Sequence, residues 1–153
     1  MFTLYNLLKF LHILGVVVWL GGLLTMLMLS TRFARSRDPA VMRALSEQGR
    51  FLGAAFFGPA AGITLITGIG LVMAGHLSFG MLWISWGMTG VILSVIVGGA
   101  MVGRMAAQLT KRIEAGQADA ATIAATQQKI VRLNLVNLII LVSVVFAMVF
   151  KFS

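Results

Sequence analysis

The chain contains no cysteine. That absence excludes disulfides, iron–sulfur clusters, thiolate metal sites and cysteine nucleophiles together. Charge is also scarce. Only 10% of the 153 residues are charged, against about 25% in an ordinary soluble domain. The carboxylates are Asp38, Glu47, Glu114 and Asp119, and the histidines are His12 and His76. Acid–base or metal chemistry has no other carboxylate or imidazole to draw on. No carboxylate pair falls within an apolar run, and no nucleophile has a partner base. No phosphate loop or His-Glu-x-x-His zinc pattern occurs. Any chemistry would therefore have to come from a bound cofactor.

What the chain has in quantity is apolar sequence. It is 59% hydrophobic, with a mean hydropathy of +1.00. That composition excludes a water-soluble globule. Four long apolar runs occur, at about 4–29, 51–74, 81–102 and 133–150. Each reaches the roughly 20 residues that a helix needs to cross about 30 Å of hydrocarbon, the last only just. Helices are expected because each backbone group in lipid must bond within its own segment. The expected fold class is all-α, a four-helix transmembrane bundle, with residues 1–153 forming one integral membrane domain. The first run lacks a basic segment ahead of it and exceeds the 7–15 apolar residues of a signal peptide. It reads as a retained helix.

Basic residues orient the bundle. The first connection carries Arg32, Arg35, Arg37, Arg43 and Arg50; the third carries Arg104, Lys111, Arg112, Lys129 and Arg132. The second, Gly75 to Gly80, has no charge. Basic loops stay on the cytoplasmic side, which places both termini outside (N-out, C-out) and two basic loops inside. The acids lie in the same loops, so each nets +3, and Lys9 and Lys151 complete the +8. Topology and contact with membrane lipid account for the positive charge; no nucleic-acid partner is implied. The third connection reads as a cytoplasmic helical hairpin over about 104–132. Gly116 suits a helix stop and Asp119 an N-cap. In the first connection, Asp38-Pro39 suits a helix start and Ala40 to Gln48 a short amphipathic surface helix, either a solvated connector or a docking surface. The two halves share a helix–loop–helix pattern, but no residue-level repeat goes beyond Gly21-Gly22 against Gly98-Gly99.

In lipid, close approach of small residues replaces most of the hydrophobic drive between helices. Gly58 and Gly62, the stripe Gly90–Ser94–Gly98, the pair Gly99 and Gly103, and Gly15 with Gly22 all have suitable spacing. They serve contacts within one chain, a homo-oligomer or a larger membrane complex equally well. Pro59 is expected to kink the second helix by removing a backbone bond. The ten methionines admit a copper site, but methionine is also ordinary apolar filler, and Met26 and Met28 lie on different helix faces.

Two residues do not belong in an apolar helix. Lys9 and His12 lie three apart and share a face, with Gly15, Trp19 and Gly22 continuing it. His12 sits about 12 Å from the outer helix end, at 1.5 Å per residue, too deep for easy snorkelling; Lys9 can reach outward. A neutral imidazole suits haem iron or another transition metal. Gly15 and Gly22 would let a flat macrocycle approach, with Trp19 packed against it. The plainer alternative is a histidine hydrogen-bonded across the bundle. His76, in the outer loop, is a second candidate metal ligand on the same side of the membrane. Asn134 and Asn137 share a face near the inner end of the fourth helix and suit helix joining.

The stretch LKFLHILGVVVWLGGLL resembles the opening helix of several small bacterial membrane families. The shared element is His12, then Trp19, Gly21 and Gly22. It resembles the membrane domain of copper-resistance protein D and, more loosely, HemJ-type protoporphyrinogen oxidases. Arg50-Phe51 and Thr67-Gly68 are similar to the second-helix pattern of the copper-resistance proteins and of a four-helix membrane family of unknown function. The layout of the whole chain resembles that last family most. HemJ-type enzymes carry a lysine in helix three and a Tyr-His pair after helix one; here Met81 to Val102 has no charge and the segment after helix one reads STRFARSR. The resemblance implies a bacterial plasma-membrane protein that binds b-type haem through His12 and works in redox or in haem or metal handling. Copper is the second cofactor expectation. An accessory subunit of a larger complex and a HemJ-type oxidase are the alternatives in function.

Overall fold

A computed structural model describes residues 3–33 and 38–151. Arg35 and Arg37 of the expected first loop lie outside the described residues. Helix α1 covers Leu4–Phe33, α2 Pro39–Leu52, α3 Gly58–Ala74, α4 Leu82–Ser94, α5 Gly103–Glu114 and α6 Ala120–Phe150. A π-helical segment, Gly53–Phe57, joins α2 to α3, and a second, Val95–Val102, joins α4 to α5. Among the described residues, four continuous helices are therefore long and apolar enough to cross a membrane: Leu4–Arg32, Ala40–Ala74, Leu82–Glu114 and Ala120–Phe150.

The basic segments are mostly helix: the stretch expected as a hairpin is α5 and the start of α6, and the helix expected at 40–48 lies within α2, each continuous with a span. The apolar runs mark where hydrocarbon would lie, whereas the helices end where capping chemistry ends them. A span such as Leu82–Glu114, 33 residues long, measures about 50 Å at 1.5 Å per residue, well beyond the roughly 30 Å of a bilayer core. Asp38 caps α2, accepting from the Ala40 N–H at 2.9 Å, with Pro39 in the first turn. Asp119 caps α6 as expected, accepting from the Thr122 N–H at 2.8 Å. Hydrogen bonds from the Thr122 side chain and backbone hold the Asp119 carboxyl below the usual carboxylate range. Gly116 stops α5 with φ +66°. Around it, Gln117 N–H donates to Arg112 C=O at 2.9 Å and Gly116 N–H to Ile113 C=O at 3.1 Å, closing the helix end.

Pro59 does not act alone in the second span. A wide turn precedes it, in which the Gly58 N–H donates to the Gly53 carbonyl. Such π turns occur where a helix absorbs a disrupted backbone ladder. In the third span the Gly103 N–H donates to Gly98 in the same way.

The expected surface helix at 40–48 is the first part of the second span, and its apolar side faces protein. Met42 packs with Leu109 and Ile123, each only 2% exposed, in a small core beneath the hairpin. Arg43 binds Glu47 at 2.8 Å and reaches Glu114 at 3.5 Å. All three side chains are about half exposed, where an ion pair contributes about 0–1 kcal/mol; Met42 is the stronger tie.

Within the bundle, α1 packs mainly on α3 and α4 mainly on α6, with α1 also touching α6; α3 and α4 barely touch. Small residues make the close approaches. A Cβ on Gly15 would fall 2.5 Å from Thr64 Oγ1, and one on Gly87 2.6 Å from the Met148 methyl. A Cβ on Gly90 would overlap Val144, and one on Gly98 would fall 2.8 Å from Asn137 Nδ2. These stripes serve contacts inside the chain. By contrast, a Cβ on Gly21 or Gly62 meets nothing within 4 Å. Trp86 also links the third span to the fourth, donating through Nε1 to Ser143 at 3.2 Å.

The orientation has a direct test, because the chain has no native cysteine to remove. Ser78 and Gln117 are both exposed and lie at opposite ends of the third span. In intact cells, Ser78→Cys is expected to react with a membrane-impermeant maleimide and Gln117→Cys only after lysis. The opposite pattern would invert the topology.

Candidate functional site

A cleft of about 710 Å³ opens at the end of the bundle that holds both termini. It lies within the roughly 300–1,000 Å³ of ligand and cofactor sites. Helix α1 supplies Lys9 and His12, α3 supplies Thr64 and Gly68, α4 supplies Trp83 and Met88, and the end of α6 supplies Met148 and Lys151.

His12 is held from one side. Its Nδ1 lies 2.9 Å from the Thr64 carbonyl oxygen and 3.3 Å from Thr67 Oγ1. A carbonyl only accepts, so Nδ1 carries the proton and donates. The Thr67 hydroxyl gives its own proton to the Ile63 carbonyl, leaving its oxygen to accept from the imidazole. With Nδ1 protonated, the lone pair of the neutral ring sits on Nε2, which has no hydrogen-bond partner among the described residues. A histidine whose Nδ1–H rests on a carbonyl while Nε2 stays free is arranged as metal-ligating histidines are. Gly68 makes the arrangement fit: a Cβ there would lie 3.1 Å from His12 Cε1 and 3.4 Å from Nδ1.

The mouth is cationic. Lys9 is exposed on the face it shares with His12. Lys151 adopts a left-handed backbone, φ +48°, as the helix ends. Its Nζ lies 6.0 Å from the centre of the Trp83 ring, at the edge of cation–π range. Two ammonium groups thus border an apolar cleft with one neutral imidazole deeper inside.

The other expected site residues lie elsewhere. Gly15 and Gly22 do not line this cleft; they face the second span, against Thr64 and Phe57. Trp19 is buried, 6% exposed, in the core cluster with Leu23, Ala60, Val91 and Leu141. It lines a second cleft and not this one. His76 does not join His12. It is exposed, does not line the cleft, and occupies the left-handed position, φ +51°, that ends α3. There, His76 N–H donates to Met73 C=O and Leu77 N–H to Val72 C=O, the pattern Gly116 makes at the other turn. No group of three or more His, Asp or Glu side chains gathers among the described residues.

Thr64, Gly68, Trp83 and Lys151 were absent from the expected site. Thr67-Gly68 was visible as a motif; its contact with His12 was not. Lys151 offered no signal, since its position depends on the backbone of a single residue.

A family described as "Predicted integral membrane protein (DUF2269)" matches residues 6–152. The chain belongs to this family. No curated protein and no solved structure matches the chain. The match to DUF2269 takes in all four spans and runs from before Lys9 to beyond Lys151, so these cleft residues lie within the family's own domain.

Proposed function

We propose that this is a bacterial plasma-membrane haem protein in which a b-type haem occupies the outer cleft with His12 Nε2 as axial ligand, serving redox or haem handling. The observation that carries the reading is the 2.9 Å approach of His12 Nδ1 to the Thr64 carbonyl oxygen, which only accepts, so the proton belongs on Nδ1 and Nε2 is left for a ligand. Three further features support it. The cleft has the volume of a cofactor site. Lys9 and Lys151 stand at the mouth, where the two propionates of a haem seated on His12 would need cations. Met88 and Met148 bring thioethers to the same cleft, and a Met/His ligand pair is an established haem arrangement.

The test is an absorption spectrum of detergent-purified protein from haem-supplied cells, oxidised and then dithionite-reduced, beside His12→Ala. A reduced b-type spectrum in the parent, lost in a variant that elutes identically from a sizing column, is the expected result. Flat spectra in both would overturn the reading.

A further inference from the structure

A second cleft, of about 350 Å³, is lined by Trp19 and lies toward the hairpin end. Its chemistry differs from that of the outer cleft. The buried polar side chains Ser94, Gln127, Asn134 and Asn137 line it, and each is 1–6% exposed. Among the described residues no carboxylate or histidine lines it, and the one charged residue that does, Arg50, is exposed. Of the three buried side-chain atoms that have no hydrogen-bond partner among the described residues, two belong to residues lining this cleft, the Ser94 hydroxyl oxygen and Asn137 Oδ1; the third, Thr64 Oγ1, lies on the side of the outer cleft. An unpaired polar atom is costly in a protein interior, and water is not at hand to relieve it in hydrocarbon.

The walls are made of glycine: Gly53 and Gly58 on one side, Gly98, Gly99 and Gly103 on the other. Each wall includes a π-helical segment, Gly53–Phe57 or Val95–Val102, a distortion concentrated at functional positions. Bare Cα atoms on both sides leave room for a ligand beside the apolar side chains Phe57, Val95 and Val102.

The lining excludes most ligands. A metal ion or organic cation has no anionic donor, and an anion has only the exposed Arg50. What remains is a neutral group that gives an O–H to Asn137 Oδ1 and accepts from the Ser94 hydroxyl, carried on a flat apolar body that enters from lipid. The geometry points to a quinone/quinol headgroup site in the inner cleft: a quinol gives an O–H to Asn137 Oδ1 and accepts from the Ser94 hydroxyl, whereas a quinone, which only accepts, takes the Ser94 O–H and, with the amide turned over, the Asn137 Nδ2–H. This site does not depend on haem in the outer cleft.

Trp19 lines this cleft and supplies the readout, because quinones quench tryptophan fluorescence on contact. In lipid nanodiscs, a Trp83→Phe/Trp86→Phe protein is titrated with decylubiquinone and, separately, menadione. The titration is repeated with His12→Ala added, so that a haem bound at His12 neither quenches the signal nor decides the result. Saturable quenching by either quinone is expected, weakened at least tenfold by Ser94→Ala or Asn137→Leu. A Cβ on Gly99 meets nothing within 4 Å, so Gly99→Leu fills the cleft without a clash at its first carbon and is expected to abolish saturation while the protein elutes unchanged. Linear quenching that is the same in Gly99→Leu would overturn the site, as quinone dissolved in lipid beside a merely hydrated cleft. Saturable quenching indifferent to both Ser94→Ala and Asn137→Leu would also overturn the assignment.

Discussion

Gly15→Leu is expected to part the first two spans and destabilise the protein by about 3 kcal/mol or more, at the upper end of overpacking costs. The first added carbon already falls 2.5 Å from Thr64 Oγ1 and 3.2 Å from the Ala60 carbonyl oxygen. Ala60 presents backbone, which cannot rotate away, and α1 on α3 is the most extensive helix pair in the molecule. With little hydrophobic drive to hold helices together in lipid, close packing carries the pair. Thermal unfolding in detergent, read as loss of the monodisperse sizing peak, measures the effect. Gly21→Leu is the matched control: its Cβ meets nothing within 4 Å, and leucine is the better helix former. Equal losses in the two variants would mean that the Gly15 crossing does not hold the bundle.

Gly68→Val is expected to leave the bundle folded but weaken haem binding 10–100-fold, the usual cost of disturbing a group that orients a metal ligand. The glycine touches no iron. Its bare Cα gives the His12 ring room beside Thr64 and Thr67; a Cβ would stand 3.1 Å from Cε1, and valine's branches would push the ring off its carbonyl. Haem titration of the apoprotein, followed by absorbance, reads the affinity, with His12→Ala as the zero. Thr67→Val separates orientation from space. It removes the weaker 3.3 Å contact and keeps the 2.9 Å bond to Thr64, so a smaller loss is expected there. Unchanged affinity in Gly68→Val would show that the imidazole's position is not what the ligand needs.

The four spans were legible because hydropathy is a property of each segment alone, and Asp119 and Gly116 because caps and stops are written within a few residues. His12 stood out for a similar reason: an ionisable group in an apolar run is conspicuous. Its surroundings were not legible. The helical face assigned Gly15, Trp19 and Gly22 to a cofactor, yet the second span covers both glycines, with Thr64 of α3 and Phe57 of the π-helical segment, because which helix packs on which face is decided between segments. The two π-helical segments stayed hidden for a related reason. A wide turn shifts the residues beyond it around the helix, so no stripe drawn at a constant 3.6-residue period passes through Gly53–Phe57 or Val95–Val102 unbroken.

The Trp19 layer has an electrical consequence. One cleft enters from the end with the termini and one from the hairpin end, and between His12 and Trp19 the first helix rises only about 10 Å. If polar ligands and water fill the clefts, the low-dielectric barrier shrinks from the full hydrocarbon thickness to the apolar layer of Trp19, Val91 and Leu141, which itself holds a cavity of about 20 Å³. Most of the transmembrane voltage would then drop across it. A single charge crossing those few ångströms would exchange nearly the whole of the roughly 2.3 kcal/mol per 100 mV that a full bilayer crossing carries.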